Sequence, residues 1–355
     1  MVSLDRAKKY IQKCVEEEKI PGATFAYVTK DTFISDYVGY KQIVPNKIAL
    51  EEGTIYDMAS CTKVVCTTTL ILKLIEDGYF NLKTKVKDIL PGFPFEEINI
   101  EHLLTHTSGM IPDDKSYKKC TSKEEMYDFI DSLPLAYPTG TNLQYSDFGY
   151  ITLGRIIEYY QGDLEEYASK ILFKPLGMEH TMFNAKEKGY EKYCISEEIQ
   201  EDRGGVIIGE AHDGKAYRMG GVSGNAGLFS TIDDISKFVQ MLLNDGQDVL
   251  SPASIKLLET YRTEGMNTRR TLGWIADDPS ASDGDYYSKT CLYHTGFTGT
   301  SVYVDFERKC GIVLLINAVH PKRGNPYTQE IRNNFHNIIL SEYRWNRVLC
   351  ILFYL

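Results

Sequence analysis

Ser60-Cys-Thr-Lys63-Val-Val-Cys-Thr-Thr-Thr-Leu70-Ile-Leu-Lys-Leu-Ile75-Glu-Asp77-Gly78 is the stretch on which the reading of this chain turns. The spacing of Val64, Val65, Leu70, Ile71, Leu72, Leu74 and Ile75 predicts a helix from Ser60 to Asp77. Its apolar coverage is wide, which makes it central and buried, and Gly78 fits the position just past its end. A hydroxyl at the head of such a helix meets free N–H groups and the positive end of the helix dipole, and both favour developing negative charge. Lys63 lies three residues on and shares a helix face with Ser60. A lysine in partly desolvated surroundings can lose its proton near neutral pH and take the serine's. The competing reading makes Ser60 a simple helix cap and Lys63 a surface residue whose stem lies along the helix.

On the N-terminal side, Met1 to Glu18 reads as an amphipathic helix, with Leu4, Ala7, Ile11, Cys14 and Val15 near a 3.6-residue period. Pro21-Gly22 interrupts it, Ala23 to Thr29 follows as a strand, and Thr32 to Val38 can return as its hairpin partner. On the other side the pattern from about Asn81 to Asn244 is mainly helical, at Glu124 to Leu133, Asp147 to Tyr160, Leu164 to Leu172 and Asp233 to Leu243. The last of these opens on Thr231-Ile-Asp-Asp234, which resembles a capping box. Pro- and Gly-containing loops lie between the helices, at Leu90 to Pro94 and Gly220 to Gly227. Beta pattern returns at Leu272 to Ile275, Thr300 to Asp305 and Gly311 to Asn317, before a helix at about Tyr327 to Tyr343. The fold class expected is α/β (α+β). Residues 1–80 together with 260–345 form a sheet domain, and 81–259 form a helical domain inserted in it. Residues 346–355 make an apolar tail. Its run Val348 to Leu355 falls well short of the roughly 20 residues a spanning helix needs.

The composition narrows the function. With 355 residues, 43% hydrophobic and 25% charged, the chain has ordinary globular values, which excludes disordered, collagenous and coiled-coil readings. Lys+Arg 39 against Asp+Glu 49 gives a net charge of −10, a poor match to nucleic acid or an anionic membrane. The expected partner is a small molecule or short peptide, and the oligomeric state is left open. Eight scattered Cys with no C-x-x-C pair read as free, reduced thiols. With no apolar segment behind a basic start, they point to a cytoplasmic address.

Several site types drop out on inspection. There is no G-x-G, no phosphate-loop motif and no G-x-S-x-G elbow. His102 and His106 have helical zinc-ligand spacing, but Leu103 stands where a metalloprotease Glu belongs, and structural roles are favoured. S-x-x-K occurs twice. Ser116-Tyr-Lys-Lys119 sits in a charged turn with no apolar helix behind it, whereas Ser60-Cys-Thr-Lys63 heads the apolar helix. Two further segments carry weight. Tyr145-Ser-Asp147 follows the Pro138-Thr-Gly140 turn and precedes a helix. His294-Thr-Gly296-Phe297 leads toward the strand at Ser301 to Asp305, with Gly296 allowing close backbone approach to a substrate.

Together these residues resemble the penicillin-recognising serine hydrolases: class C β-lactamases, DD-peptidases and related esterases. Their motifs S-x-x-K, Y-x-N and K-T-G (H-T-G in the esterase-like branch) stand here, in order, as Ser60-Cys-Thr-Lys63, Tyr145-Ser-Asp147 and His294-Thr-Gly296. Ile20 to Ala23, Gly78 to Pro91, Leu103 to Gly109, Lys174 to Met178 and Gly221 to Ser230 are similar to family landmarks. The resemblance implies a β-lactamase/transpeptidase-like fold with the site in a cleft between sheet and helices. It implies Ser60 as the acylated nucleophile, and Lys63 with Tyr145 as the groups that handle its proton. The backbone N–H groups of Ser60 and Phe297 become the oxyanion hole, and Asp147, His294, Thr295 and Gly296 contact substrate. No metal or organic cofactor is implied. Two departures stand out. Asp147 replaces an Asn, can only accept hydrogen bonds when ionised, and would hold Lys63 protonated. His294 replaces a Lys, so recognition of a substrate carboxylate would require its protonation, near pH 6.5 before any perturbation. Both shift the expectation toward a small ester, amide or D-amino-acid peptide. The alternatives are a β-lactamase or D-alanyl-D-alanine carboxypeptidase, or a non-catalytic ligand sensor that keeps the fold.

Overall fold

A computed structural model describes residues 2–343, so the apolar tail lies outside the described residues. Apolar residues on both sides of the strands at 22–29, 291–295, 301–305 and 310–316 bury both faces of most of one sheet, and its edge at 33–42 and 48–49 is more exposed. Its strands are β1 (Gly22–Thr29), β2 (Phe33–Gln42), β3 (Ile48–Ala49), β4 (Cys291–Thr295), β5 (Ser301–Asp305) and β6 (Cys310–Ile316). The order is β3-β2-β1-β6-β5-β4, every pairing antiparallel, so the two chain ends meet at β1 and β6 in the middle. Ala23, Phe25 and Tyr27 of β1 and Ile312, Leu314 and Ile316 of β6 point to one side. There they meet α1 (Asp5–Glu16), through Ala7, Ile11 and Cys14, and a C-terminal helix, Thr328–Ser341, through Ile331, Phe335 and Ile339. The Phe25 and Phe335 rings make an edge contact at 5.3 Å.

Ala26 and Val28 of β1, with Val313 and Leu315 of β6, face the larger core on the other side. The helix predicted from Ser60 to Asp77 lies in that core, but it is not continuous. It opens as a 3₁₀ turn over Ala59–Cys61, widens to a π-helix over Lys63–Thr68 and becomes α-helical only at α2 (Thr69–Glu76). The Thr run accompanies the change, as Thr67 donates to Gly224 O (2.7 Å) and Thr69 to Val64 O (3.2 Å). π-turns inside helices are rare and are frequently found at functional sites. Of the later helices, α3 (Asp147–Gln161) and α4 (Ile232–Leu243) bear on the site, and α5 denotes the C-terminal helix at Thr328–Ser341. Although α4 falls inside the segment expected to be a helical insertion, its Phe238 and Val239 pack on the sheet-facing core. The Thr231 cap accepts from the Asp234 N–H, but the Asp234 carboxylate turns to His180 N and Thr181 Oγ1, so only half a capping box forms.

Two expectations fail in the strands. Leu272 to Ile275 forms only isolated bridges, because Ile275 pairs with Tyr293 at the edge of β4 and no ladder continues. Strands also occur within the mainly helical stretch. Met182–Phe183 and Leu228–Ser230 pair with each other, and Leu228–Ser230 also pairs with Tyr56–Asp57. A hairpin joins Ser196–Gln200 to Gly205–Ile208. Two- and three-residue strands show no period of 2, so they are invisible in pattern alone. The first of these small sheets pairs the segment just before Ser60 with the strand that follows the Gly220 to Gly227 loop.

Candidate active site

Ser60 sits at the junction of the 3₁₀ turn and the π-helix. Ala59 before it is held at φ +45°, a left-handed conformation unusual for a residue with a Cβ. The restraint comes from Asp57. One carboxylate oxygen accepts from Ala59 N (2.6 Å), the other from His212 N (2.8 Å), and the Asp57 carbonyl accepts from the Thr298 hydroxyl (2.8 Å). Burial pushes the Asp57 carboxyl up to about 6, against the pull of those two N–H donors. Asp57 thus ties three loops around the serine, a role no local motif disclosed.

Lys63 is fully buried. Its ammonium donates to Ser60 Oγ (3.1 Å), Asp147 Oδ1 (2.7 Å) and the Asn225 carbonyl (2.9 Å). Burial alone would favour neutral Lys63, but the charge of Asp147 and the neighbouring Tyr145 more than offset it and raise its pKa. Burial likewise works against ionised Asp147, but Lys63 and Lys215 outweigh it and hold that pKa down. The resting pair is therefore ammonium and carboxylate. Asp147 begins α3, whose cap Ser146 accepts from Gly149 N, so the carboxylate occupies the first turn, where the helix dipole favours negative charge.

Tyr145 precedes that cap. Its phenol pKa is raised by burial and opposed by Lys63, and the hydroxyl interacts with both Lys63 and Ser60. The ring lies 4.5 Å from the His106 ring and under the Lys63 ammonium at 4.9 Å. His106 accepts from Ser146 N through Nδ1 (3.2 Å), and its carbonyl accepts from Gln144 N (2.9 Å), so it shapes the loop that presents Tyr145. Burial and the nearby Arg270 keep its pKa well below the ordinary value. His102 completes a helix cap with Asn99. Among the described residues no group of three or more His, Cys, Asp or Glu could hold a metal ion.

His294 and Thr295 end the edge strand β4, which pairs with the Ser301–Asp305 strand that the sequence placed after them. Gly296 follows where β4 ends. A Cβ there would stand 2.6 Å from Met58 O, so only glycine lets the strand pass this close to the segment before Ser60. Phe297 is 60% exposed and rims an open cleft of about 560 Å³, whose walls include Ser60, Tyr145, Arg270, His294 and Arg332. The second S-x-x-K is elsewhere: Ser116 and Lys119 lie on an exposed 3₁₀ turn capped by Asp114.

The structure corrects the expected titration of His294. Its ring is buried, with Nδ1 2.9 Å from Thr295 O. Burial, then Arg270 and Lys63, put its pKa well below the usual 6.5. The imidazole therefore stays neutral across the physiological range. Affinity for an anionic substrate is expected to show no inflection attributable to His294 between about pH 5.5 and 8.5. Inhibition by a small anionic phosphonate, followed in wild type and His294→Gln, checks this; a wild-type inflection lost in the variant would contradict it.

Sequence reasoning missed Asp57, Lys215, Asn225 and Arg270, and gave His106 only a structural role. Each is an ordinary polar residue in its own stretch, and contacts distant in sequence bring it to the site around Ser60, Lys63 and Tyr145.

The described residues contain no helix long and apolar enough to cross a membrane. A family model described as Beta-lactamase matches residues 7–333. The N-acetylmuramyl-L-alanine amidase of Bacillus subtilis (strain 168) is 31% identical over 348 residues, covering 84% of this chain and 78% of its own length. A putative D-alanyl-D-alanine carboxypeptidase of Escherichia coli (strain K12) is 31% identical over 332 residues, covering 82% and 76%. Among solved structures, the octameric penicillin-binding protein homologue from Pyrococcus abyssi superposes with a TM-score of 0.76 at 23% identity, covering 96% of this chain and 77% of that one.

Proposed function

Because the chain belongs to the beta-lactamase family of serine hydrolases, we propose that it works through an acyl-Ser60 intermediate on a small ester, amide or D-amino-acid peptide. The observation that carries this reading is the Ser60 Oγ–Lys63 Nζ contact of 3.1 Å beside Tyr145, opening on the cleft. In the first step Ser60 Oγ attacks the substrate carbonyl carbon and its proton passes to the Tyr145–Lys63 pair. The backbone N–H groups of Ser60 and Phe297 receive the oxyanion. The same pair protonates the leaving group, and water then hydrolyses the acyl-enzyme with the pair again as base. The names of two relatives, an amidase and a carboxypeptidase, support amide substrates beside esters. Mapping the adduct left by a fluorophosphonate or benzylpenicillin tests the reading: a covalent mass on the peptide containing Ser60 is expected, and a folded protein unlabelled there would overturn it.

The charged resting pair has a kinetic consequence. Asp147 stabilises protonated Lys63 and disfavours ionised Tyr145, so it raises the pKa of either group that could act as base. Asp147→Asn is expected to move the acid limb of kcat/KM for a phenyl ester down by about one to two pH units. At pH 7 the rate should rise at least about tenfold. A limb that stays in place, or moves upward, would show that Asp147 does not set the base.

A further inference from the structure

Lys215 is a buried lysine that the acylation steps above do not use. It stands on a short helix, Gly214–Arg218, only 7% exposed, with its ammonium 3.1 Å from Asp147 Oδ2, the oxygen that Lys63 leaves free. Asp213 lies 3.8 Å from the same ammonium and accepts, through Oδ1, from the Asn225 side chain at 3.1 Å. The Asn225 carbonyl in turn accepts from Lys63. Lys63, Asp147, Lys215, Asp213 and Asn225 thus form a closed ring of alternating contacts behind Ser60. Asp113 touches Lys215 from outside the ring at 3.1 Å, with its own side chain half exposed. The Tyr117 and Phe148 rings, 5.0 and 6.0 Å from the ammonium, shield it from water.

Resting on the acyl-Ser60 reading, we propose that Lys215 is a positioning residue for the reaction: by holding the second oxygen of Asp147 it divides that carboxylate between two lysines and keeps Lys63 able to give up its proton. A carboxylate facing Lys63 alone would place its whole field on one ammonium. A second cation weakens that field and also repels the proton on Lys63 directly. Burial works against the charged form of Lys215, but Asp213, Asp147 and Asp113 outweigh it, so the cation persists through the neutral range. The other titratable or charged groups facing Lys63 are Tyr145 and Tyr150, whose rings lie 4.9 and 5.7 Å from its ammonium, the Cys61 thiol, which burial keeps protonated, and, among the imidazoles and cations, His106, His294 and Arg270. The positive Arg270 adds to the same repulsion, and His294 stays neutral.

The test follows the rate at which a fluorophosphonate phosphonylates Ser60, by intact mass, from about pH 5.5 to 9.5. In that step Ser60 Oγ bonds to phosphorus, fluoride leaves and the serine proton goes to the base. Lys215→Met keeps the apolar stem and removes the charge. It should move the inflection up by about one pH unit and slow labelling at pH 7 about tenfold. Lys215→Arg should return the inflection to the wild-type position. Asp113→Asn removes an opposing charge and should move the inflection down, by less because Asp113 is half exposed. An unmoved inflection in folded Lys215→Met, or movement in the same direction in Lys215→Met and Asp113→Asn, overturns the proposal. If Lys215→Met does not fold, an unmoved inflection in Asp113→Asn overturns it. Absence of any Ser60 adduct in wild type overturns the acyl-Ser60 reading itself; labelling with no pH shift in the variants overturns only the role of Lys215.

Discussion

Ser60→Ala is expected to lower ester turnover by at least about a thousandfold, because it removes the atom that bonds to the acyl group. Its oxygen stands 3.1 Å from the Lys63 ammonium, and no neighbouring nucleophile can replace it. Cys61 is the nearest thiol in the chain, but it is fully buried. Its sulfur donates to His294 O and accepts from Thr300, both at 3.7 Å, and burial pushes its pKa up to about 12. A thiol that remains protonated and faces away from the cleft is a poor nucleophile. Hydrolysis of p-nitrophenyl acetate by the folded variant, with iodoacetamide treatment of both Ser60→Ala and Cys61→Ala, decides between them. Near-wild-type turnover in Ser60→Ala that iodoacetamide abolishes would move the chemistry to the thiol.

Tyr145→Phe should reduce kcat/KM by about two to four orders of magnitude, the range for a positioned acid–base group. The substitution is clean. The ring contacts with His106 at 4.5 Å and with the Lys63 ammonium at 4.9 Å remain, and only the hydroxyl is lost. If the phenol also protonates the departing group, the loss should grow as the leaving group becomes more basic. It should be smallest for p-nitrophenyl esters and largest for alkyl esters or amides. Rates across such a series, with thermal unfolding to verify the fold, give the measurement. An equal loss for every leaving group would confine Tyr145 to the serine proton, and an unchanged kcat/KM would reduce it to a packing residue.

The sequence by itself determined which elements carry the chemistry. The apolar period after Lys63 required a buried helical segment with a serine at its head, since seven large aliphatic side chains could be removed from water only in the core. It did not disclose the 3₁₀ and π turns in which that segment opens. The Pro138-Thr-Gly140 turn ahead of a helical pattern put Tyr145 on a loop at the start of α3. Strands at both chain ends implied one sheet, and β1 does pair with β6 across nearly 300 residues. These are local signals, set by the period of a helix or strand and by the residues that start and stop it.

Only the tertiary structure decided how that chemistry is tuned. Whether Lys63 is charged depends on the balance between burial and the field of Asp147, 84 positions away, and so on the packing of two helices. His294 has a neutral-range pKa as an isolated side chain, but burial beside Arg270 and Lys63 removes it from that range. The same holds for Lys215. Nothing in its own segment marks it out, and the fold makes it the second cation on Asp147. Electrostatic free energies depend on distance and dielectric, neither of which a linear pattern carries, whereas helix period and capping are written residue by residue.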